Sequence, residues 1–211
     1  MLWMSNIIEN KKQPISATDD DMQYVVLCQK GDTDAFAVLV ERHQKKMLNI
    51  AYRMTGDYDD ACDVVQEAFL AAFRAIKKFK GESLFSTWLY RIVINYTKNR
   101  LKQKQSYKRH EQISNEEAGE VNSGYASCPA CADEGSPDNQ LIQRERQVKV
   151  NHCISGLDDE YREVLVLRDI QGFSYEEIRD VLQIPEGTVK SRLSRARNAL
   201  KDCLIKVVGD L

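Results

Sequence analysis

The sequence predicts an all-α protein: two small helical domains joined by a flexible acidic linker, the second domain a helix-turn-helix. Three observations carry this. On either side of a central segment, apolar residues recur at i, i+3, i+4 spacing, and no stretch alternates with the period of two that a half-buried strand requires. Residues 106–139 lack that periodicity and hold Gly119, Ser123, Gly124, Cys128-Pro129-Ala130-Cys131, Gly135 and Ser136-Pro137. A structureless run of that length does not belong inside a compact domain. Finally, 211 residues with 43% apolar and 29% charged side chains suffice for two cores of roughly 100 residues each.

Residues 1–18 read as a tail and 19–105 as the first domain. The breaks Gly31-Asp32, Thr55-Gly56-Asp57 and Lys80-Gly81-Glu82-Ser83 divide it into helices near 20–30, 34–54, 58–78 and 84–104. The third is the clearest, with Tyr58, Ala61, Cys62, Val65, Ala68, Phe69, Ala72, Phe73 and Ile76 on one face. Asp57 stands where an N-cap belongs, and Asp59, Asp60 and Asp63 suit the positive end of the helix dipole. The fourth carries Phe85, Trp88, Leu89, Ile92, Val93 and Tyr96, with Arg91, Asn95, Lys98 and Lys102 as a polar stripe.

From 140 to 211 the helical pattern resumes, broken at Ser155-Gly156, Gln171-Gly172 and Ile184-Pro185. Ser174-Tyr175-Glu176-Glu177 has the form of a capping box that opens a short helix. After the turn Gln183-Ile184-Pro185, Val189, Leu193, Ala196 and Leu200 form an apolar back. Glu186, Gly187, Lys190, Ser191, Ser194, Arg195, Arg197, Asn198 and Lys201 form the front. An apolar back with a basic, hydroxyl-rich front is the grammar of a recognition helix in a DNA major groove. The bland alternative is an ordinary amphipathic hairpin.

The total charge, 30 Lys+Arg against 32 Asp+Glu, argues on average against a nucleic-acid partner, but the average conceals segregation. Residues 57–67 carry −5, 71–110 carry +10, 111–138 carry −7 and 187–201 carry +5. Two basic blocks inside patterned helices point to phosphate binding, although any single block could be a solvated face. Cationic residues beside aromatics on the fourth helix suit unpaired nucleic acid. The loop ahead of it could hold an extruded base, while Trp88 also reads as a core anchor.

The run Phe79-Lys80-Gly81-Glu82-Ser83-Leu84-Phe85-Ser86-Thr87-Trp88-Leu89-Tyr90-Arg91-Ile92-Val93-Ile94-Asn95 resembles the promoter-melting, −10-reading segment of extracytoplasmic-function sigma factors. These are the two-domain branch of the sigma-70 family. Asp63-Val64-Val65-Gln66-Glu67-Ala68-Phe69-Leu70 resembles their segment that docks on the RNA polymerase β′ clamp helices. Leu167-Arg168-Asp169 with Gly172 through Ile178, followed by Gly187-Thr188-Val189-Lys190-Ser191-Arg192-Leu193-Ser194-Arg195-Ala196-Arg197, resembles their −35-reading domain.

The resemblance implies a promoter-specificity subunit with no catalytic residue. Asp63, Gln66, Glu67 and Leu70 would dock on core polymerase. Lys80, Ser83 and Phe85 would lie near a flipped −10 base, Trp88 would belong to the same −10-binding set, and Arg91, Asn95, Lys98, Asn99 and Lys102 would follow the melted strand. Glu186, Gly187, Thr188, Lys190, Ser191, Ser194, Arg195 and Arg197 would read the −35 duplex. Core polymerase (β′ clamp helices and β flap), promoter DNA and an anti-sigma factor are the implied partners. Residues 106–139 as coil span about 30–35 Å, a reach that suits two separated promoter elements. It also lets the domains pack together without polymerase, their acidic and basic blocks neutralising one another.

No catalytic-triad, phosphate-loop or nucleotide-fold signature is present. No apolar run reaches the ~18 residues of a membrane span, and the N-terminus lacks a secretory pattern. A cytoplasmic location with six reduced thiols follows as the expectation, with Cys28, Cys62 and Cys203 as small core residues. Cys128 and Cys131 supply two thiolates where structural zinc wants four ligands. No cofactor is therefore expected, zinc or a thiol switch at that pair being the minor alternatives, with His110, His152 and Cys153 as candidate further ligands. Two rival functions remain: a helix-turn-helix regulator that acts alone, which leaves the first domain without a task, and a thiol- or metal-sensing interaction protein.

Overall fold

The computed structural model describes the backbone of residues 20–114 and 137–208, and side chains within 20–107 and 146–207. The tail and the Cys128/Cys131 pair lie outside the described residues. Helices α1 (Asp20–Gln29), α2 (Asp34–Thr55), α3 (Tyr58–Ala75), a 3-10 turn (Ile76–Lys78) and α4 (Phe85–Ser114) form the first half. The second half comprises α5 (Pro137–Ser155), α6 (Asp159–Leu165) with a π-turn (Val166–Ile170), α7 (Tyr175–Leu182) and α8 (Glu186–Val208). There is no strand among the described residues. No described helix is long and apolar enough to cross a membrane.

Local chemistry sets the boundaries. Asp57 caps α3 by accepting from the Asp60 backbone N–H at 3.0 Å. Gly56 closes α2 in the left-handed region, φ 73°, its N–H donating to Tyr52 O at 2.8 Å, a conformation glycine adopts without steric cost. The capping box of α7 is complete: Glu177 N–H donates to Ser174 Oγ at 3.1 Å, and Ser174 N–H to Glu177 Oε2 at 2.7 Å. One boundary moves. The helix expected to end near 104 runs to Ser114, and α5 begins at Pro137, so both ends of the segment read as linker are helical. Lys and Gln, which fill 102–105, are good helix formers, so the helix continues without an apolar stripe.

The first core is formed by Leu39, Met47, Ile50 and Met54 of α2, Ala61, Val64, Ala68 and Ala72 of α3, and Leu89, Val93 and Ile94 of α4, all nearly or fully buried. The second gathers Val164, Leu165, Val166, Leu167, Phe173, Ile178, Val189, Leu193 and Ala196. These cores are continuous. Tyr90 of α4 meets Phe173 edge-to-face at 4.8 Å, and Tyr90 and Ile94 are both buried although the apolar set read from this helix contains neither. Burial pushes the Tyr90 hydroxyl pKa up.

Arg162 ties the halves. Its Nε donates to Ile154 O at 3.1 Å, its Nη1 to Met54 O at 2.8 Å, and its Nη2 to Ser155 O and Leu157 O, each at 2.6 Å. Three of these carbonyls belong to the last turns of α2 and α5, where helices lack internal donors and where a cation is favoured by the dipole. Asp159 balances the charge at 3.2 Å.

Two cysteine expectations are corrected. Cys153 of α5 and Cys203 of α8 form a disulfide, Cα–Cα 5.7 Å, so not all six cysteines are reduced thiols and Cys203 is not merely a core filler. The packing of α5 on α8 brings them together, and a separation of 50 residues carries no spacing signal. Cys28 and Cys62 are free thiols.

Replacing Arg162 by Met keeps the aliphatic stem but removes the guanidinium donor from four carbonyls, of which Ile154 O retains the Leu157 N–H at 3.2 Å. A urea melt followed by circular dichroism should show a loss of about 3 kcal/mol; a midpoint matching wild type would remove Arg162 from this role.

Candidate nucleic-acid interface

Three surfaces correspond to the three sequence motifs. On α3, Asp63, Gln66, Glu67 and Leu70 are all exposed along one face, as i, i+3, i+4, i+7 spacing requires. Phe73 continues that stripe at 41% exposure beyond Leu70 at 49%, its ring edge-on to Phe36 at 5.0 Å. Periodicity had placed Phe73 among core residues, because a helix flank and a helix core face are the same in sequence. Asp60, from the same acidic cluster, turns inward. It is buried and holds Arg100 of α4, Nε to Oδ1 at 2.9 Å, together with Lys104. Part of the acidic block therefore neutralises part of the basic block inside the first half.

The second surface is the loop between the 3-10 turn and α4. Lys80 and Glu82 project into solvent at 80% and 81% side-chain exposure, their charged groups 3.9 Å apart. Ser83 is half-buried and donates to Leu84 O at 3.4 Å. Phe85 does not face outward as expected for a residue beside a base. It is 4% exposed, in an aromatic cluster with Phe79 at 6.0 Å, Trp88 at 5.7 Å and His43 at 5.8 Å. Stacking inside the domain satisfies its ring, so it supports the loop from below. Trp88, half-buried and 5.1 Å from Phe79, is the core anchor that its apolar spacing allowed.

Along α4 the polar stripe divides. Asn95, Asn99 and Lys102 are exposed. Arg91 instead donates from Nε to Asp180 O of α7 at 2.7 Å, and Lys98 pairs with Glu163 of α6 at 2.6 Å. Neither faces open solvent while the halves are packed. Burial pushes the Glu163 carboxyl up, opposed by Lys98 and Arg192.

The third surface is the helix-turn-helix of α7 and α8, turning through Gln183 at φ 56°. Val189, Leu193 and Ala196 are buried, whereas Gly187, Lys190, Ser191, Ser194, Arg195, Arg197 and Asn198 are exposed; Glu186 and Thr188 are half-buried. Several charges already have partners. Lys190 pairs with Glu186 at 2.5 Å, which holds the Glu186 carboxyl below and the Lys190 ammonium above their usual ranges. Arg197 grips Asp169 through Nε at 2.9 Å and Nη2 at 2.6 Å. Arg192 turns back to Glu160 at 2.6 Å and Glu163 at 3.6 Å. Among the described residues Arg195 has no such partner.

Glu163 thus faces one cation from each half, a role that sequence reading missed. The available signal was its register with Leu167, one helical turn on: a carboxylate on an apolar stripe asks for a buried cation. No group of three or more potential metal ligands occurs among the described residues.

Comparison with known proteins places these surfaces in context. The family model of sigma-70 region 2 matches residues 39–107, and that of sigma-70 region 4 matches 147–200. The chain is 39% identical over 186 residues to the RNA polymerase sigma-H factor of Pseudomonas aeruginosa, covering 88% of this chain and 94% of that protein. It is 38% identical over 180 residues to the ECF RNA polymerase sigma-E factor of Escherichia coli K12, covering 85% and 92%. Among solved structures it is similar to CnrH in complex with the cytosolic domain of CnrY, with TM-score 0.61 and 27% identity over 89% of this chain and 99% of that one. It is also similar to the sigma factor RpoE bound to the anti-sigma factor NepR from Bartonella quintana, with TM-score 0.57 and 26% identity over 88% and 97%.

Exchanging Glu163 for Gln removes the carboxylate that Lys98 and Arg192 both face. The isolated variant should bind duplex DNA more tightly than wild type at low salt. Each cation released to phosphate steepens the slope of log K against log salt by about 0.9, and since Arg192 keeps Glu160 at 2.6 Å, anisotropy titrations should show a change of about one such step, from Lys98; equal slopes would refute the pairing's role.

Proposed function

This chain belongs to the extracytoplasmic-function branch of the sigma-70 family, and on that footing we propose how its surfaces divide the work of promoter-specific transcription initiation. Sigma factors bind core RNA polymerase and direct it to promoters. Here the exposed stripe Asp63, Gln66, Glu67, Leu70, extended by Phe73, docks on the β′ clamp helices. Its carboxylates meet a basic partner surface, and its two apolar side chains supply the area that a charge pair alone lacks.

Lys80 and Ser83 read the −10 element as a melted strand, with the strand running on along Asn95, Asn99 and Lys102. Arg91 and Lys98 join that track only when the second half moves away. The front of α8 reads the −35 element as duplex, with Arg195 as the principal base-edge or phosphate contact and Ser191 and Ser194 beside it. The β flap is the polymerase surface for the second half. The protein acts with polymerase in the cytoplasm and contributes no catalytic residue.

The observation that supports this division is the coexistence of two unlike nucleic-acid faces on one chain. One is a lysine-tipped loop over an aromatic cluster; the other is a helix-turn-helix. A regulator acting alone on duplex DNA needs only the second. In the packed form, Arg91 and Lys98 of the proposed melted-strand track are held by acceptors of the second half. Core polymerase is the agent that separates the halves and frees these two, whereas Arg197 keeps Asp169 within the second half. An anti-sigma partner is proposed because RpoE, one of the similar solved structures, is bound to an anti-sigma factor.

Run-off transcription with purified core polymerase tests the whole reading: promoter-specific initiation should require this chain. Strong operator binding without core would favour the stand-alone regulator instead. Two variants then separate the faces. Arg195→Ala should weaken binding of holoenzyme to −35-containing duplex by about 1–3 kcal/mol. Lys80→Ala should leave that step intact and lower permanganate reactivity in the melted region; reactivity equal to wild type would remove Lys80 from strand opening.

A further inference from the structure

The loop that carries Lys80 and Ser83 is held from outside by a helix to which no motif drew attention. Helix α1 ends at Gln29, and its carboxamide Nε2 donates to two backbone carbonyls far along the chain: Ile76 O at 3.1 Å and Phe79 O at 2.9 Å. These carbonyls bracket the 3-10 turn Ile76–Lys78 from which the loop departs. Ile76 O also accepts from the Phe79 N–H at 3.1 Å, and Phe79 itself has left helical geometry, ψ 117°. The chain direction at the root of the loop is therefore set by one side-chain amide with both hydrogens in use.

The same helix supports the loop at a second point. Gly81 has φ +74°, and a Cβ there would lie 3.1 Å from Met22 Cε of α1. The Phe79 ring is locked between Phe85 and Trp88. With the root clamped, the ring packed and the tip resting on Met22, Lys80 and Glu82 are the charged side chains that the loop projects into solvent.

We propose that Gln29 is a positioning residue for −10 reading: its amide fixes the departure of the 79–84 loop so that Lys80 and Ser83 meet an unpaired base in one geometry. This rests on the loop being the −10 reader, as set out above. Groups that select a base must be held to within about half an ångström, and a loop with a slack root keeps its charge but loses that definition. Gln29 should therefore govern discrimination between strands more than attraction to them.

Two near-isosteric substitutions separate the role from simple stability. Gln29→Glu places an acceptor against two acceptors, and Gln29→Met removes the donor while keeping length. Each variant, assembled with core polymerase, is titrated onto pre-melted bubble templates with either the cognate −10 strand or a scrambled one. The expected result is a roughly tenfold fall in cognate-over-scrambled preference, with scrambled-bubble affinity, core association and −35 duplex binding at wild-type levels. A protonated carboxyl can donate again, so Gln29→Glu should regain preference as pH is lowered whereas Gln29→Met should not. Unchanged preference in both variants overturns the proposal, as does an equal loss on cognate and scrambled bubbles, which would make Gln29 only a stabilising contact. If wild-type holoenzyme shows no preference between bubbles, the −10 reading of the loop fails, and this inference fails with it.

Discussion

One guanidinium holds the two halves of this molecule in register. Arg162 is 7% exposed, and its donors reach carbonyls of α2, α5 and the turn after α5. The ends of two helices from opposite halves lack donors for the same reason, and a single planar cation serves both. Once the end of α2 is joined to the α5–α6 turn, α6 lies against the first half. Glu163, the next residue, is thereby delivered to Lys98, and the apolar run Val164–Leu167 joins the common core. The Tyr90–Phe173 contact and the Arg91–Asp180 hydrogen bond extend this same docking toward α7.

That docking gives the charge distribution its meaning. A chain with nearly balanced charge can still carry two basic faces if its acids are placed to cover them. Asp60 takes Arg100 and Lys104; Glu163 takes Lys98; Glu160 takes Arg192; Asp169 takes Arg197. Some of these pairs lie within one half and would survive separation of the halves. The pairs across the junction, Lys98 with Glu163 and Arg91 with the Asp180 carbonyl, would not. The cations of α4 are therefore more sensitive to the arrangement of the halves than those of α8 are. The loop at Lys80 stands outside this competition, because α1 rather than the second half supports it.

Much of the architecture was legible from residues alone. Period-3.6 patterning placed the helices, Asp57 and Ser174 announced two helix starts, and the apolar back of α8 set its basic side outward. The exposed stripe Asp63, Gln66, Glu67, Leu70 followed from the same geometry, since a helix face is a one-dimensional pattern. Failures came where burial depended on a remote partner. Phe85 is buried because Phe79 and His43 close over it, Cys203 is bonded because α5 brings Cys153 to it, and Lys98 is half-covered because Glu163 arrives from 65 positions away.

The sequence by itself determined what is local or repeats along one element: helix content, caps, the charge blocks and the exposed face of each helix. Those follow from backbone hydrogen bonding and side-chain periodicity, which operate within a few residues. Only the tertiary structure decided which cations stay exposed, that Phe85 packs with Phe79, Trp88 and His43, and that Gln29 donates to two carbonyls at the root of the loop. Each of these depends on two groups remote in sequence meeting at hydrogen-bonding or van der Waals distance, and no pattern along a single chain encodes that meeting.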